Sequence, residues 1–318
     1  MLDTINILYT TDHTYIKPML VSLYSLLENN QDINVIIYIV CDMFELEDYK
    51  KVEYIINKFK NSNVYFHRFE KIKKIIEEYE IPNWKESQIA NARVFFTSSV
   101  KDVDKLLYLD SDTIVVDSLS GLDQYDDTIH MVQDLMSKSY WKNLDSSLDK
   151  YCNSGVIWID VDKWKENKCD NKVVDAIKSD INYTYPDQDL LNIALKDDIE
   201  LLPPEYDLFS IDAYYNNFLL QQYYKRMGIE RYSKVEMKNA KESPIILHAT
   251  PLFPYRAWEV NNIHPYSEIY DEYLMKIFGD VNKSTVRPNI LKFKMHSLSN
   301  IILPVEVKES IKKFIKHR

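Results

Sequence analysis

Residues 5–69 switch repeatedly between two hydrophobic periods, and that switching restricts the chain to few folds. "INILYT" (5–10) is a short apolar run broken by the polar "TDHT". From Tyr15 to Leu27, the residues Ile16, Met19, Leu20, Leu23, Leu26 and Leu27 recur at three- and four-residue steps, the spacing of one helix face. "NVIIYIV" (34–40) returns to strand, and "ELEDYKKVEYIINKF" (45–59) sets Leu46, Tyr49, Val52 and Ile56 on one helical face. "NVYFHRF" (63–69) is a third strand. Strands alternating with helices imply parallel pairing through crossover helices. The 318 residues suffice for one large α/β domain or two smaller ones, and with 4 Gly and 11 Pro no stretch resembles a flexible linker. A hydrophobic share of 46% and an aromatic share of 13% fit a folded chain rather than a disordered one.

A helix is expected around 87–99, followed by the strand "KLLYLDSDTIVV". "CNSGVIWIDVDKW" (152–164) reads as strand, turn and helix start, "QDLLNIALK" (188–196) as helix, and "SPIILHAT" (243–250) as strand then loop. The stretch 203–240, rich in Tyr and Asn, reads as irregular.

A formal charge of −10 argues against a general nucleic-acid binder, because nothing offsets phosphate repulsion across the surface. Cys41, Cys152 and Cys169 form no C-x-x-C pattern, which fits a reducing cytoplasm without a disulfide framework. "MLDTINILYT" carries no basic region of a signal peptide, and the longest apolar run, 35–40, is far short of a membrane span. A soluble cytoplasmic protein is expected. The tail differs: from Val281 to Arg318 nine Lys or Arg face two Glu, and Val307, Ile311, Phe314 and Ile315 share one helical face. That pattern suits a helix on a membrane surface or partner, and equally a terminal helix docked on its own domain. The expected division is 1–262 for the main domain and 263–318 for a mainly helical basic extension.

"KLLYLDSDTIVV" (105–116) brings two carboxylates to the end of an apolar strand. In a strand, residues i and i+2 share a face, so Asp110 and Asp112 point together, with Cα atoms about 6–7 Å apart, while Ser111 points away as a spacer. Ligands of open α/β sheets collect at the carboxyl ends of strands. Carboxylates suit Mg²⁺ or Mn²⁺, and an added imidazole favours Mn²⁺. The bland alternative is a solvated turn, since Asp and Ser are common turn residues. A D-x-D-x-T phosphatase nucleophile is a further rival. That motif normally opens a chain, and its later acidic partner is missing, because "GDVNKS" has Ser284 where a second Asp belongs.

Five motifs in order resemble the retaining glycosyltransferases of family 8, over about four-fifths of the chain. They are "YTTDHTY" (9–15), "NARVFFTSSVKDVDKLLYLDSDTIVVDSL" (91–119), "CNSGVIWIDVDKW", "YPDQDLLN" (185–192) and "ILHATPLFPYRAW" (246–258). The last departs from the family's H-x-x-G-x-x-K-P-W: the glycine is absent, two extra residues separate His248 from the basic position, and Arg256-Ala257-Trp258 replaces Lys-Pro-Trp. The resemblance implies a GT-A type fold, with a Rossmann-like mixed central sheet flanked by helices and a small C-terminal helical extension. It implies transfer of glucose or galactose from a UDP-sugar to a glycan or glycosylated protein, with Mn²⁺, or Mg²⁺, as cofactor.

The resemblance also implies roles. Asp110, Asp112 and His248 hold the metal, and Ser111 belongs to the same nucleotide-binding stretch. Asp12 and Tyr15 contact uracil, with Thr10 and Thr11 adding backbone contacts. The bland alternative makes Asp12 or Thr14 a helix cap and Tyr15 core. Arg93 faces the sugar-phosphate, unless it forms an ordinary helix-surface salt bridge, and Arg256 clamps the diphosphate. Asn153, Asp187 and Gln188 hold the donor sugar, with Asp134 near it, whereas Ser154 receives no role. Gln188 has no ionisable group and is a poor nucleophile, so the catalytic set of Gln188, Asp187 and Asp134 favours front-face displacement over a covalent adduct. A catalytically silent sugar-nucleotide-binding or scaffold relative is the alternative. The acceptor is expected to meet the 203–240 region and the tail, and peripheral contact with the membrane's inner face through that tail is part of the expectation.

Overall fold

The structure, a computed structural model, describes residues 3–81, 88–100, 102–179, 181, 183–252, 255–259 and 263–281, with 291, 294, 295, 298 and 299. Ten strands are present among them: β1 (Thr4–Asp12), β2 (Asn34–Asp42), β3 (Ser62–Arg68), β4 (Lys105–Leu109), β5 (Thr113–Val115), β6 (Ile129–Gln133), β7 (Cys152–Asp160), β8 (Ile199–Leu201), β9 (Leu208–Phe209) and β10 (Ile246–His248). Seven form one sheet in the order β3-β2-β1-β4-β7-β6-β8, and β5-β10-β9 form a second. The expected parallel pairing holds for β3, β2, β1 and β4, with helices Ile16–Glu28 and Leu46–Ile56 as crossovers. Beyond β4 the sheet is mixed, because β7 runs antiparallel to both β4 and β6.

Strand alternation divides the core between the two sheet faces. Ile5, Ile7 and Tyr9 of β1, with Leu107 and Leu109 of β4, join the larger cluster, whereas Leu8, Leu106 and Tyr108 join the other. Helix Ile16–Glu28 is buried on more than its expected face: Val21, Ser22 and Ser25 are covered too. Its second cover is helix Ser267–Phe278, which sends Tyr270, Tyr273, Leu274 and Ile277 into the same core. Asn29 Nδ2 donates to Tyr273 Oη at 3.0 Å across that contact. Tyr266, Tyr270, Tyr273, Leu274 and Ile277 thus belong to the larger core cluster. The tail face formed by Val307, Ile311, Phe314 and Ile315 lies outside the described residues.

Two local readings are corrected. The 203–240 stretch is largely helical, with Ser210–Tyr214, Asn217–Met227 and most of Lys234–Glu242 in helices. Its signals are caps rather than periodicity: Asn216 accepts from Leu219 N, Ser233 and Glu236 form a capping box, and Gly228 closes a helix at φ 65°. The 87–99 helix is broken into Ile89–Asn91, Ala92–Phe96 and Thr97–Ser99, of which the outer two are 3₁₀ turns. Among the described residues, no helix is long and apolar enough to cross a membrane.

Candidate active site

Parallel pairing of β1 with β4 puts their carboxyl ends side by side, and the antiparallel β7 brings its own start to the same edge. β4 ends at Leu109, and Thr113 N donates to Asp110 O at 3.1 Å, so Asp110–Asp112 form a turn. The carboxylates thus converge through a turn and not through strand alternation, as the residue types Asp-Ser-Asp favour. Ser111 lines the same cleft as both aspartates. His248 ends β10, opposite Thr113 of β5, and Ala249 N donates to Asp112 O at 2.8 Å. Strand pairing across 135 residues of sequence therefore supplies the third donor, and one ligand atom from each of Asp110, Asp112 and His248 lies within 4.8 Å of the others.

The three residues sit between two cavities. One, of about 260 Å³, is lined by Thr10, Thr11, Asp12 and Tyr15 as well as Arg93, Asp110, Ser111, Asp112 and Arg256. The other, of about 410 Å³, shares Arg93, Asp110, Asp112 and Arg256 and adds Asp134, Asn153, Asp187, Gln188 and His248. Every residue given a site role from the sequence lines one or both.

Several side chains are engaged differently from the expectation. Asp12 Oδ1 accepts from Thr14 N and Tyr15 N, at 2.9 and 3.1 Å, and so caps the turn His13–Tyr15. Tyr15 is not core: it is 38% exposed and stands edge-on to Trp258 at 6.0 Å. Arg93 is buried rather than a surface pair, bridging Asp110 (2.8 Å) and Asp187 (3.3 Å) and stacking over Tyr108. Arg256 Nη1 meets Asp112 Oδ2 at 2.8 Å, and its guanidinium lies over the Trp258 ring. On the far side, Asp134 accepts from Asn153 Nδ2 (2.7 Å) and Gln188 Nε2 (3.4 Å).

Two residues without an assigned role belong to the site. Ser154 donates from its hydroxyl to Asp187 Oδ2 (3.0 Å), donates from N–H to Gln188 Oε1 (3.1 Å), and accepts from Arg93. Asp207, fully buried, lies 2.9 Å from His248 Nδ1. Its signal was a lone acid within the run Tyr206-Asp207-Leu208-Phe209.

Charge at the site is held by these contacts. Burial opposes ionisation of Asp112, but the hydrogen bond and charge of His248, with the charge of Arg256, hold its pKa down at about 2. Burial raises Asp110, with Asp112 adding to it, against the opposing charge of Arg93. Burial also raises Asp134, and pushes Asp207 up to about 6. Desolvation alone would lower His248, yet Asp207 and Asp112 raise it well above the ordinary imidazole value.

Two carboxylates and an imidazole at this separation fit a divalent cation of the Mn²⁺ or Mg²⁺ kind. Gly155 makes the arrangement spatially feasible: a Cβ there would stand 2.3 Å from His248 Cε1 and 2.9 Å from Asn153 Oδ1. Gly155→Ala is expected to cost about 1–3 kcal/mol as His248 or the β7 backbone gives way. Chemical denaturation reads that cost, and a stability change below 0.5 kcal/mol on this scale would contradict the close approach.

A mixed sheet with this carboxylate turn at its central edge defines a GT-A type glycosyltransferase fold. It is similar to the bifunctional glycosyltransferase WbbM (TM-score 0.69, 16% identity, 92% of this chain and 51% of that one). It is also similar to the galactosyltransferase LgtC, solved in complex with donor and acceptor sugar analogs (TM-score 0.65, 19% identity, 91% of this chain and 100% of that one). The chain belongs to glycosyl transferase family 8, whose description matches residues 6–259. A lipopolysaccharide 1,2-glucosyltransferase of Escherichia coli K12 is 26% identical over 276 residues, 81% of this chain and 75% of that protein.

Proposed function

We propose that this family 8 glycosyltransferase transfers glucose or galactose from a UDP-sugar to a glycan or glycosylated protein, in a metal-dependent reaction. The observation that carries the reading is the Asp110–Asp112–His248 cluster at the junction of two cavities, one suited to a nucleotide and the other to a sugar. The names of the similar glucosyltransferase and galactosyltransferase support a hexose donor. Asp110, Asp112 and His248 would hold Mn²⁺ or Mg²⁺, and such a cation supplies positive charge where the diphosphate leaving group gains negative charge.

The remaining roles follow from position. Tyr15 offers a partly exposed ring to the base, and Asp12 keeps one oxygen for it while the other caps the turn. Thr10, Thr11 and Ser111 line the nucleotide side of the cleft. Arg93 fixes Asp110 relative to Asp187 and so ties the metal-binding side of the site to the sugar-binding side. Arg256 turns from Asp112 to the diphosphate. Asn153, Asp134, Asp187 and Gln188 bind the sugar hydroxyls.

Retention by front-face displacement fits this set. Gln188 has no ionisable group, and Asp187 is occupied by Arg93 and Ser154. The basic residues after 281 support the accompanying proposal of a cytoplasmic enzyme touching the membrane's inner face.

The test is thermal melting with UDP, with and without Mn²⁺. At 100 times the dissociation constant, UDP with Mn²⁺ is expected to stabilise the fold by about 2.7 kcal/mol, and UDP alone by less. Absence of a Mn²⁺-dependent shift would remove the metal-dependent reading. Hydrolysis of a panel of UDP-sugars then identifies the donor hexose. A catalytically silent relative would bind UDP with Mn²⁺ yet leave every sugar attached.

A further inference from the structure

Asp207 lies between the turn Pro204–Tyr206 and β9, with no exposed surface. β9 runs parallel to β10 and pairs Phe209 with His248, so sheet register sets the Asp207 carboxylate behind the imidazole. Its Oδ1 is 2.9 Å from His248 Nδ1, whereas Nε2 faces Asp112 Oδ1 at 3.3 Å and Asp110 Oδ2 at 3.9 Å. Asp207 Oδ2 is buried without a hydrogen-bond partner among the described residues.

An ionised carboxylate can only accept, so the proton between this pair belongs on Nδ1. That choice leaves Nε2 facing the two cleft carboxylates, where it offers its lone pair once a cation displaces the Nε2 proton. A buried carboxylate with one unpaired oxygen is costly unless positive charge sits on or beyond its partner. Holding β9 against β10 does not require it: backbone pairing does so, and Ser210 Oγ donates to His248 O at 3.2 Å.

We propose that Asp207 is a positioning residue that fixes the His248 tautomer and strengthens Nε2 as a ligand for a divalent cation shared with Asp110 and Asp112. The inference rests on the reading of that cluster as a metal site. A carboxylate hydrogen-bonded to the distal nitrogen of a ligating imidazole typically contributes 10- to 100-fold in metal affinity.

Mn²⁺ affinity of the full chain in the presence of UDP, read from the electron paramagnetic resonance signal of free Mn²⁺, tests it. Asp207→Asn, whose amide oxygen can still accept from Nδ1–H, is expected to weaken Mn²⁺ by about 10-fold, and Asp207→Leu by about 100-fold. Asp112→Asn serves as the control that removes a ligand. Unchanged affinity in both Asp207 variants, with loss in Asp112→Asn, overturns the role of Asp207 and leaves the metal site standing. No Mn²⁺ binding by the unaltered chain overturns the metal site and this inference together.

A second measurement does not depend on the variants folding. Long-range proton–nitrogen correlation spectra of the unaltered chain saturated with Mg²⁺ and UDP are expected to place the His248 proton on Nδ1. A proton on Nε2 sinks the proposal.

Discussion

Asp112→Asn is expected to lower the proposed Mn²⁺-dependent UDP-sugar hydrolysis by at least about 100-fold, the scale of losing a group that serves charge developing in the transition state. The substitution keeps shape and removes charge. The Asp112 backbone carbonyl, which accepts from Ala249 N, is untouched, so the β4–β5 turn and the end of β10 stay in register. The lost carboxylate faces both His248 and Arg256. Its pKa is held at about 2, below the ordinary value of 3.8, so its ionised form stabilises the fold above pH 3.8. That stabilisation fades as pH falls from 3.8 through 2. The Asn variant forgoes on the order of 2 kcal/mol at neutral pH, a loss a chain with this much core survives. Release of UDP with Mn²⁺, alongside a far-ultraviolet circular dichroism melt, separates chemistry from folding. A folded variant hydrolysing at the unaltered rate would exclude Asp112 as a ligand.

Arg231→Met is expected to destabilise the chain by about 3–5 kcal/mol, the cost of leaving a buried charge without its partner. Arg231 and Asp212 have no exposed side-chain surface, and Arg231 Nη1 reaches both Asp212 oxygens at 2.9 and 3.0 Å. Tyr224 donates its hydroxyl to Asp212 Oδ1 at 2.7 Å, and Arg231 Nη2 donates to Gln133 O, also at 2.7 Å. The last bond matters for the site, because Gln133 ends β6 immediately before Asp134. In Arg231→Met the Asp212 carboxylate keeps a hydroxyl and loses its cation. Adding Asp212→Leu removes that stranded charge and is expected to restore most of the stability, since an apolar pair of similar volume often replaces a buried ion pair at little cost. Urea denaturation of the unaltered chain and the two variants measures this. A loss under about 1 kcal/mol in Arg231→Met would mean that the pair contributes no more than a surface ion pair.

The sequence by itself determined the elements whose burial repeats at a regular step. Ile16 to Leu27 had to be a helix and 34–40 a strand, because each period puts apolar side chains on one surface wherever that surface packs. It also determined the chemistry available: two aspartates one residue apart after an apolar strand, a histidine after another, and five motifs in a family's order. It mistook how the aspartates converge, since a strand and a turn can deliver the same pair and Asp-Ser-Asp carries the signals of both. It also underread 203–240, where helices are fixed by caps and by tyrosines that bury their rings while their hydroxyls find partners such as Asp212.

Only the tertiary structure decided the pairings. Arg93 lies 94 residues from Asp187, and His248 41 from Asp207, yet each pair is in contact. No local period marks such a contact, because it depends on which strand lies beside which and in what register. β7 turning antiparallel sets Ser154 against Arg93, and β9 pairing with β10 sets Asp207 behind His248. Local repetition specifies elements because burial acts residue by residue, whereas the site is assembled from strand ends and exists only once the sheets have closed around them.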